Sequence, residues 1–222
     1  MNILVCVKQV PDTTAVKIDP VTNTLIRAGV PSILNPFDGF ALEMALQMKD
    51  KTGGTVTVMS MGPAQAEDVL RESLSVGADE AYLVSGREFG GSDTLATSYI
   101  LSCAVKAVEE KRGEKFDVIY CGKQAIDGDT GQVGPEMAEH LGYTQITYAT
   151  ELVACEGDKV QVRKETADGY DVLEAALPVV ISVTKTPFEL HYPSGYGRSD
   201  RPEPCRPEGF PHQGQEELHA PA

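Results

Sequence analysis

Acidic, amide and glycine residues crowd residues 120–142 (YCGKQAIDGDTGQVGPEMAEHLG), and here their types and spacing suit chemistry. An apolar run ends at Tyr120. A polar turn then carries Asp127, Gly128, Asp129, Thr130, Gly131, Gln132 and Gly134, and a helical pattern opens at Pro135. A strand, a loop and a helix start in that order suit a nucleotide diphosphate, because glycine lets backbone approach a ligand and the free N–H groups of a helix N-terminus attract phosphate. Asp127 and Asp129 would repel a bare phosphate. Their carboxylates are therefore read as acceptors for ribose hydroxyls, adenine N–H or backbone donors. The same residues also read as an ordinary turn in which Asp129 or Thr130 caps the helix. A second junction, Gly90-Gly91 followed by Ser92-Asp93-Thr94, is either a phosphate or ribose contact or a plain capped helix start.

Other chemistries find little support. There is no GxGxxG and no GxxxxGK[ST], so the usual dinucleotide fingerprint and the P-loop are both absent. His140 falls on the helix after the loop, His191 follows the last strand, and His212 and His219 lie in a Pro/Gly-rich tail, so no Ser/His/Asp or Cys/His constellation forms. Cys6, at the end of a buried strand, reads as a small core residue rather than a nucleophile. The cysteines at 6, 103, 121, 155 and 205 include no CxxC pair, which argues against a zinc knuckle or an iron–sulfur cluster and for reduced thiols.

The elements that must position these loops alternate between strand and helix. Residues 2–7 (NILVCV), 55–59 (TVTVM), 80–84 and 116–120 (FDVIY) are short apolar runs of the kind buried on both faces of a parallel sheet. Helical patterns fill 38–50, 64–74 and about 94–110, with Pro36 disfavouring helix at Asn35 and Asp38 able to cap the first. A small hairpin is expected within 16–30. After residue 144 the pattern turns to alternation with turns at Gly157 and Gly169, an antiparallel meander, and residues 177–183 form a last apolar strand able to rejoin the main sheet. If the strands are parallel, their ends at Lys8, Ser60, 86–93 and 121–134 converge on one edge, where open α/β sheets gather ligands. The fold class is thus α/β, with a small antiparallel β-rich edge.

With 222 residues the chain suffices for one large domain, here 1–194, with a tail at 195–222. That tail holds five prolines and four glycines without apolar periodicity and is expected to be disordered. Lys plus Arg number 19 against 33 Asp plus Glu, and a net charge of −14 excludes a general nucleic-acid-binding surface while leaving bound nucleotides open. No apolar run approaches the roughly 20 residues a bilayer span needs, so no membrane insertion and a cytoplasmic location are expected.

At specific residues the chain resembles the beta subunit of electron transfer flavoprotein. The matching segments are VCVKQVPDT (5–13), IDPVTN (18–23), NPFD (35–38), MGPAQAE (61–67), SVGADEAYLVS (75–85), FGGSDTLATS (89–98) and CGKQAIDGDTGQVGPE (121–136). The forms GGSDTLATS and AIDGDTGQVGP are most similar to the electron-bifurcating branch, whose beta subunit holds FAD and takes hydride from NADH, rather than to the branch that holds only AMP.

The resemblance implies a Rossmann-like parallel sheet with helices on both faces and a heterodimer with the alpha subunit. It also implies that Cys6, Asn35, Pro36, Phe37, Asp38 and Met61 line the AMP half of the nucleotide. The same holds for Cys121, Gly122, Lys123, Gln124, Asp127, Gly128, Asp129, Thr130, Gly131, Gln132, Val133 and Gly134. Gly91, Ser92, Asp93, Thr94 and Thr97 are implied to approach the flavin or an incoming nicotinamide nucleotide. An electron-carrier role follows, with NADH or an acyl-CoA or other dehydrogenase as donor and the alpha-subunit FAD, ferredoxin or flavodoxin as acceptor, the protein supplying position and electrostatics. Two other readings stand beside it: an adenine-nucleotide-binding stress or regulatory module, and an ATP pyrophosphatase suggested by GGSDT, whose loop in that family follows the first strand rather than the third. From residue 195 the family's glycine and lysine-rich run is replaced by GYGRSDRPEPCRPEGF, as a frameshift, truncation or genuine variant would give.

Overall fold

The structure, a computed structural model, describes residues 1–12, 31–188 and 191, together with the backbone of 17–18 and 25–26. In chain order the elements are β1 (Asn2–Cys6), β2 (Gln9–Pro11), β3 (Lys17–Ile18), β4 (Leu25–Ile26), β5 (Ser32–Leu34), α1 (Pro36–Thr52), β6 (Thr55–Met61), α2 (Glu67–Val76), β7 (Glu80–Val84), α3 (Thr94–Arg112), β8 (Val118–Gly122), α4 (Val133–Leu141), β9 (Thr144–Glu156), β10 (Lys159–Thr166), β11 (Gly169–Ala176) and β12 (Val179–Val183).

Eight strands form one sheet in the order β11-β10-β9-β12-β8-β1-β6-β7. The ladders from β7 through β6, β1, β8 and β12 to β9 are parallel, and only the β9–β10 and β10–β11 ladders are antiparallel. Strands covered on both faces need apolar residues at every position, which is why β1, β8 and β12 read as continuous apolar runs. α1 and α2 pack on one face around Val5, Met44, Met48 and Tyr120. α3 packs on the other around Leu4, Met59, Val105 and Ile119, with Met137 and Ala138 of α4 joining it there. The expected meander is present, and β12 rejoins the main sheet by inserting between β8 and β9. Two short antiparallel pairs, β2 with β5 and β3 with β4, make the excursion between β1 and α1.

Three local expectations change. Asp38 does not cap α1: the helix already starts at Pro36, and Asn35, in the cap position, makes no side-chain cap bond. The fourth helix begins at Val133 rather than Pro135, with Gln132 in the cap position instead of Asp129 or Thr130. Asp38 is drawn instead into long-range bonds described below, and Asp129 into a bond with Gln124 of its own loop. The helix expected at 64–74 splits into a 3-10 turn at Ala64–Ala66 and α2. The boundary at 194 and the tail at 195–222 lie outside the described residues, as does Cys205. Among the described residues no helix is long and apolar enough to cross a membrane.

Candidate functional site

The chain goes from β1 to β6 and β7 on one side and returns to β8 on the other, so the sheet reverses its winding between β1 and β8. At such a reversal the loops leaving the two strand ends diverge and open a crevice. Cys6 and Cys121 sit opposite each other in register at these ends. Above them lies a cleft of about 660 Å³, within the roughly 300–1,000 Å³ of small-molecule and cofactor sites.

Asp38 holds the floor of the cleft together. Its carboxylate accepts from the Lys8 N–H (2.7 Å) at the end of β1 and from the Gly122 N–H (3.0 Å) at the end of β8, so one side chain ties both strand ends to α1. The side chain that sequence reasoning offered as a helix cap is therefore a clamp between strands. Burial pushes this carboxyl up to about 7, opposed by bonds from the Asn35 side chain and from the Lys8 and Gly122 N–H groups and by the charge on Lys8. Asn35, 1% exposed, does the same for the glycine loop: its amide nitrogen donates to the Gln124 carbonyl (2.9 Å) and its carbonyl oxygen accepts from the Ile126 N–H (3.2 Å). Burial, and then the Asp38 charge, push the Cys6 thiol up to about 12. Burial, and then Cys6 and Asp38, push Cys121 well above the usual thiol range. Both thiols are accordingly protonated at neutral pH and are poor nucleophiles.

The roof comes from two helix starts. Asp93 caps α3, accepting from the Ala96 N–H (2.8 Å). Thr94 Oγ1 lies 3.0 Å from Gln132 Oε1 and 3.3 Å from Glu136 Oε1, which stitches the start of α3 to the start of α4. Gly131 has φ +65, a left-handed conformation that favours glycine, and turns the loop into α4. The first-turn N–H groups of α4 have no intrahelical acceptor, and Pro135 at the third position has no N–H at all.

Of the residues singled out from sequence, Cys6, Asn35, Asp38, Met61, Gly91, Ser92, Asp93, Thr94 and Thr97 line this one cleft. So do Cys121 to Gln124, Gly128 and Thr130 to Gly134. Pro36, Phe37, Asp127 and Asp129 do not. Asp127 is ion-paired with Lys8 Nζ (2.7 Å), and Asp129 accepts from Gln124 Nε2 (2.7 Å). Phe37 instead places its ring 4.8 Å from the Lys123 ammonium. Val7, Met59 and Leu101 also line the cleft without having been singled out from sequence, and Lys8, Phe89 and Ala125 line it from the strand ends expected to converge there. For Val7 adjacency to Cys6 was a usable signal. Met59 and Leu101 reach the cleft by packing between sheet and α3, which no local pattern announces.

The cleft fits a nucleotide-bearing cofactor in three respects. Its size is right, its loop backbone is open at Gly91 and Gly128, where an added Cβ would meet nothing within 4 Å, and helix-start N–H groups stand at one end.

A parallel α/β sheet with a ligand-sized cleft at its winding reversal defines the class: an open-sheet α/β protein of Rossmann-like type. A model of the electron transfer flavoprotein domain matches residues 22–204, and the chain belongs to that family. Within it the likeness is to beta subunits. The chain is 59% identical over 196 residues to the electron transfer flavoprotein subunit beta of Megasphaera elsdenii, covering 87% of this chain and 72% of that one. It is 54% identical over 193 residues to the subunit beta of Clostridium acetobutylicum (87% and 71%). It is 51% identical over 201 residues to subunit CarD of the caffeyl-CoA reductase-Etf complex of Acetobacterium woodii (90% and 74%).

Proposed function

We propose that this chain is the beta subunit of an electron-bifurcating electron transfer flavoprotein, holding FAD in the cleft at the β1/β8 reversal and working in the cytoplasm with an alpha subunit. The observation that carries this reading is the meeting of the 121–134 loop and the 91–97 helix start across one cleft of about 660 Å³, large enough for more than the AMP half of a dinucleotide. FAD, where bound by these loops, would supply the redox chemistry, two-electron exchange with a nicotinamide nucleotide and one-electron exchange with the alpha-subunit FAD and with ferredoxin or flavodoxin.

The protein's own groups bind and orient. Asp38 and Asn35 fix the floor and the glycine loop, and the Thr94 contact with Gln132 and Glu136 fixes the spacing of the two roof helices. Protonated Cys6 and Cys121 present neutral, apolar sulfur to the ligand. Similarity to a subunit of a caffeyl-CoA reductase-Etf complex supports assembly with an acyl-CoA dehydrogenase or a related CoA-linked enzyme.

Coexpression with an alpha subunit and cofactor extraction test the reading. A yellow complex with two flavins per heterodimer is expected. A complex with one flavin and AMP would overturn the bifurcating assignment and leave the simpler carrier, whereas a complex without adenine nucleotide on this chain would overturn both.

A further inference from the structure

The charged groups that line the cleft are unequal in one respect. Lys8 is ion-paired with Asp127, Asp38 is taken up by two backbone N–H groups, and Asp93 caps α3. Among the described residues, Lys123 is the lining cation with no carboxylate within ion-pair distance. Its ammonium is held instead between two aromatic faces, 4.8 Å from the Phe37 ring centroid and 5.9 Å from that of Tyr148. Tyr148 is there by an unusual route. It is a non-glycine residue with φ +59, it sits in β9 where the pairing with β12 shifts register between Ile181 and Val183, and its N–H meets Ser182 Oγ at 3.4 Å. A bulky residue in the left-handed region is strained, and such strain persists where the surroundings hold it. Its effect here is to turn a half-exposed tyrosine ring toward Lys123, 47% of the residue remaining open.

We propose that Lys123 selects the second phosphate of a diphosphate-bearing nucleotide at the rim of the cleft, and that Tyr148 is the positioning residue that holds its ammonium in place. The inference rests on the nucleotide reading above and deepens it, since it names the group that makes a dinucleotide or diphosphate preferred over a monophosphate. The physical ground is that aromatic faces attract an ammonium without neutralising it. A carboxylate in their place would cancel the charge, as Asp127 does for Lys8. In a chain of net charge −14, a phosphate at the rim is otherwise opposed by the surrounding field.

The test is calorimetric titration of the full chain, freed of nucleotide, with ADP and with AMP. Wild type is expected to bind ADP more tightly than AMP. Lys123→Met should weaken ADP binding about fivefold to tenfold more than AMP binding, the scale of one partly exposed charge-assisted contact. Tyr148→Ala should reproduce part of that selective loss, while Tyr148→Phe, which keeps the ring face, should retain the wild-type preference. Equal weakening of ADP and AMP in Lys123→Met and Tyr148→Ala would reduce both residues to structural roles and overturn the inference. So would unchanged binding of both ligands in both variants. If wild type binds neither ligand, the nucleotide reading itself fails, whereas AMP and ADP bound equally by wild type overturns the rim selection alone.

Discussion

Asp38 shows how far one residue's meaning depends on its neighbours. With its carboxyl pushed up to about 7 by burial, the folded chain holds a proton that an unfolded aspartate, titrating near ~3.9, has already released over the interval between. Stability from this site is therefore fully present below the unfolded value and is lost as pH rises toward 7. Asp38→Asn removes the titration. It also turns an amide donor toward the N–H of Lys8 or Gly122, leaving a buried donor unpaired at a cost of ~1–3 kcal/mol. Urea unfolding at pH 5 and pH 7.5 should show the variant less stable at both, with the gap to wild type narrower at pH 7.5. A gap independent of pH would mean that Asp38 does not titrate in this window. From the sequence, Asp38 was visible as a capping candidate beside Pro36, but not as the tie between β1 and β8, because both of its acceptor bonds come from segments distant along the chain.

At the scale of elements, α1 and β8 approach so closely that a glycine is required between them. A Cβ on Gly122 would collide with Asp38 Oδ1 and come within 2.7 Å of the Phe37 backbone carbon. Neither neighbour can retreat cheaply, one being clamped by hydrogen bonds and the other being main chain. Gly122→Ala should cost at least ~2–3 kcal/mol in unfolding free energy by forcing α1 away from the sheet. Gly128→Ala, where an added Cβ meets nothing within 4 Å, should cost far less. Paired denaturation curves check this, and similar losses in the two variants would remove the steric argument. The strands and helices themselves were largely legible, because apolar runs of about five residues and helical periodicity are local signals. Their ends were less so. Asn35, Asp38 and Asp129 are all competent caps by type, yet other partners took them first: the distant loop backbone for Asn35, two strand ends for Asp38 and Gln124 of its own loop for Asp129.

For the whole molecule, the cleft joins two halves of the sheet, so filling it should stabilise the chain as a unit. A ligand that binds only the folded state adds about 2.7 kcal/mol at a hundred times its Kd. For a domain of about 150–250 residues, each 1 kcal/mol shifts Tm by roughly 2–4 °C. FAD or ADP at that excess should accordingly raise the melting temperature by roughly 5–10 °C. Differential scanning calorimetry with adenosine as a phosphate-free control is the measurement, and no shift with any of these ligands would argue against the cleft as the nucleotide site. The amino-acid sequence by itself determined the α/β class, the order of its elements and the loop at 121–134, because each follows from short-range patterns of apolar residues, glycines and turn formers. Which loops share a cleft was decided by the tertiary structure, since the winding reversal between β1 and β8 is a property of strand order and no stretch of chain encodes it locally. The same holds for Asp127, held out of the cleft lining by Lys8, and for Tyr148, whose bend exists only where β9 meets β12. Charge and packing between distant segments settle those positions, and they become defined only once the sheet is assembled.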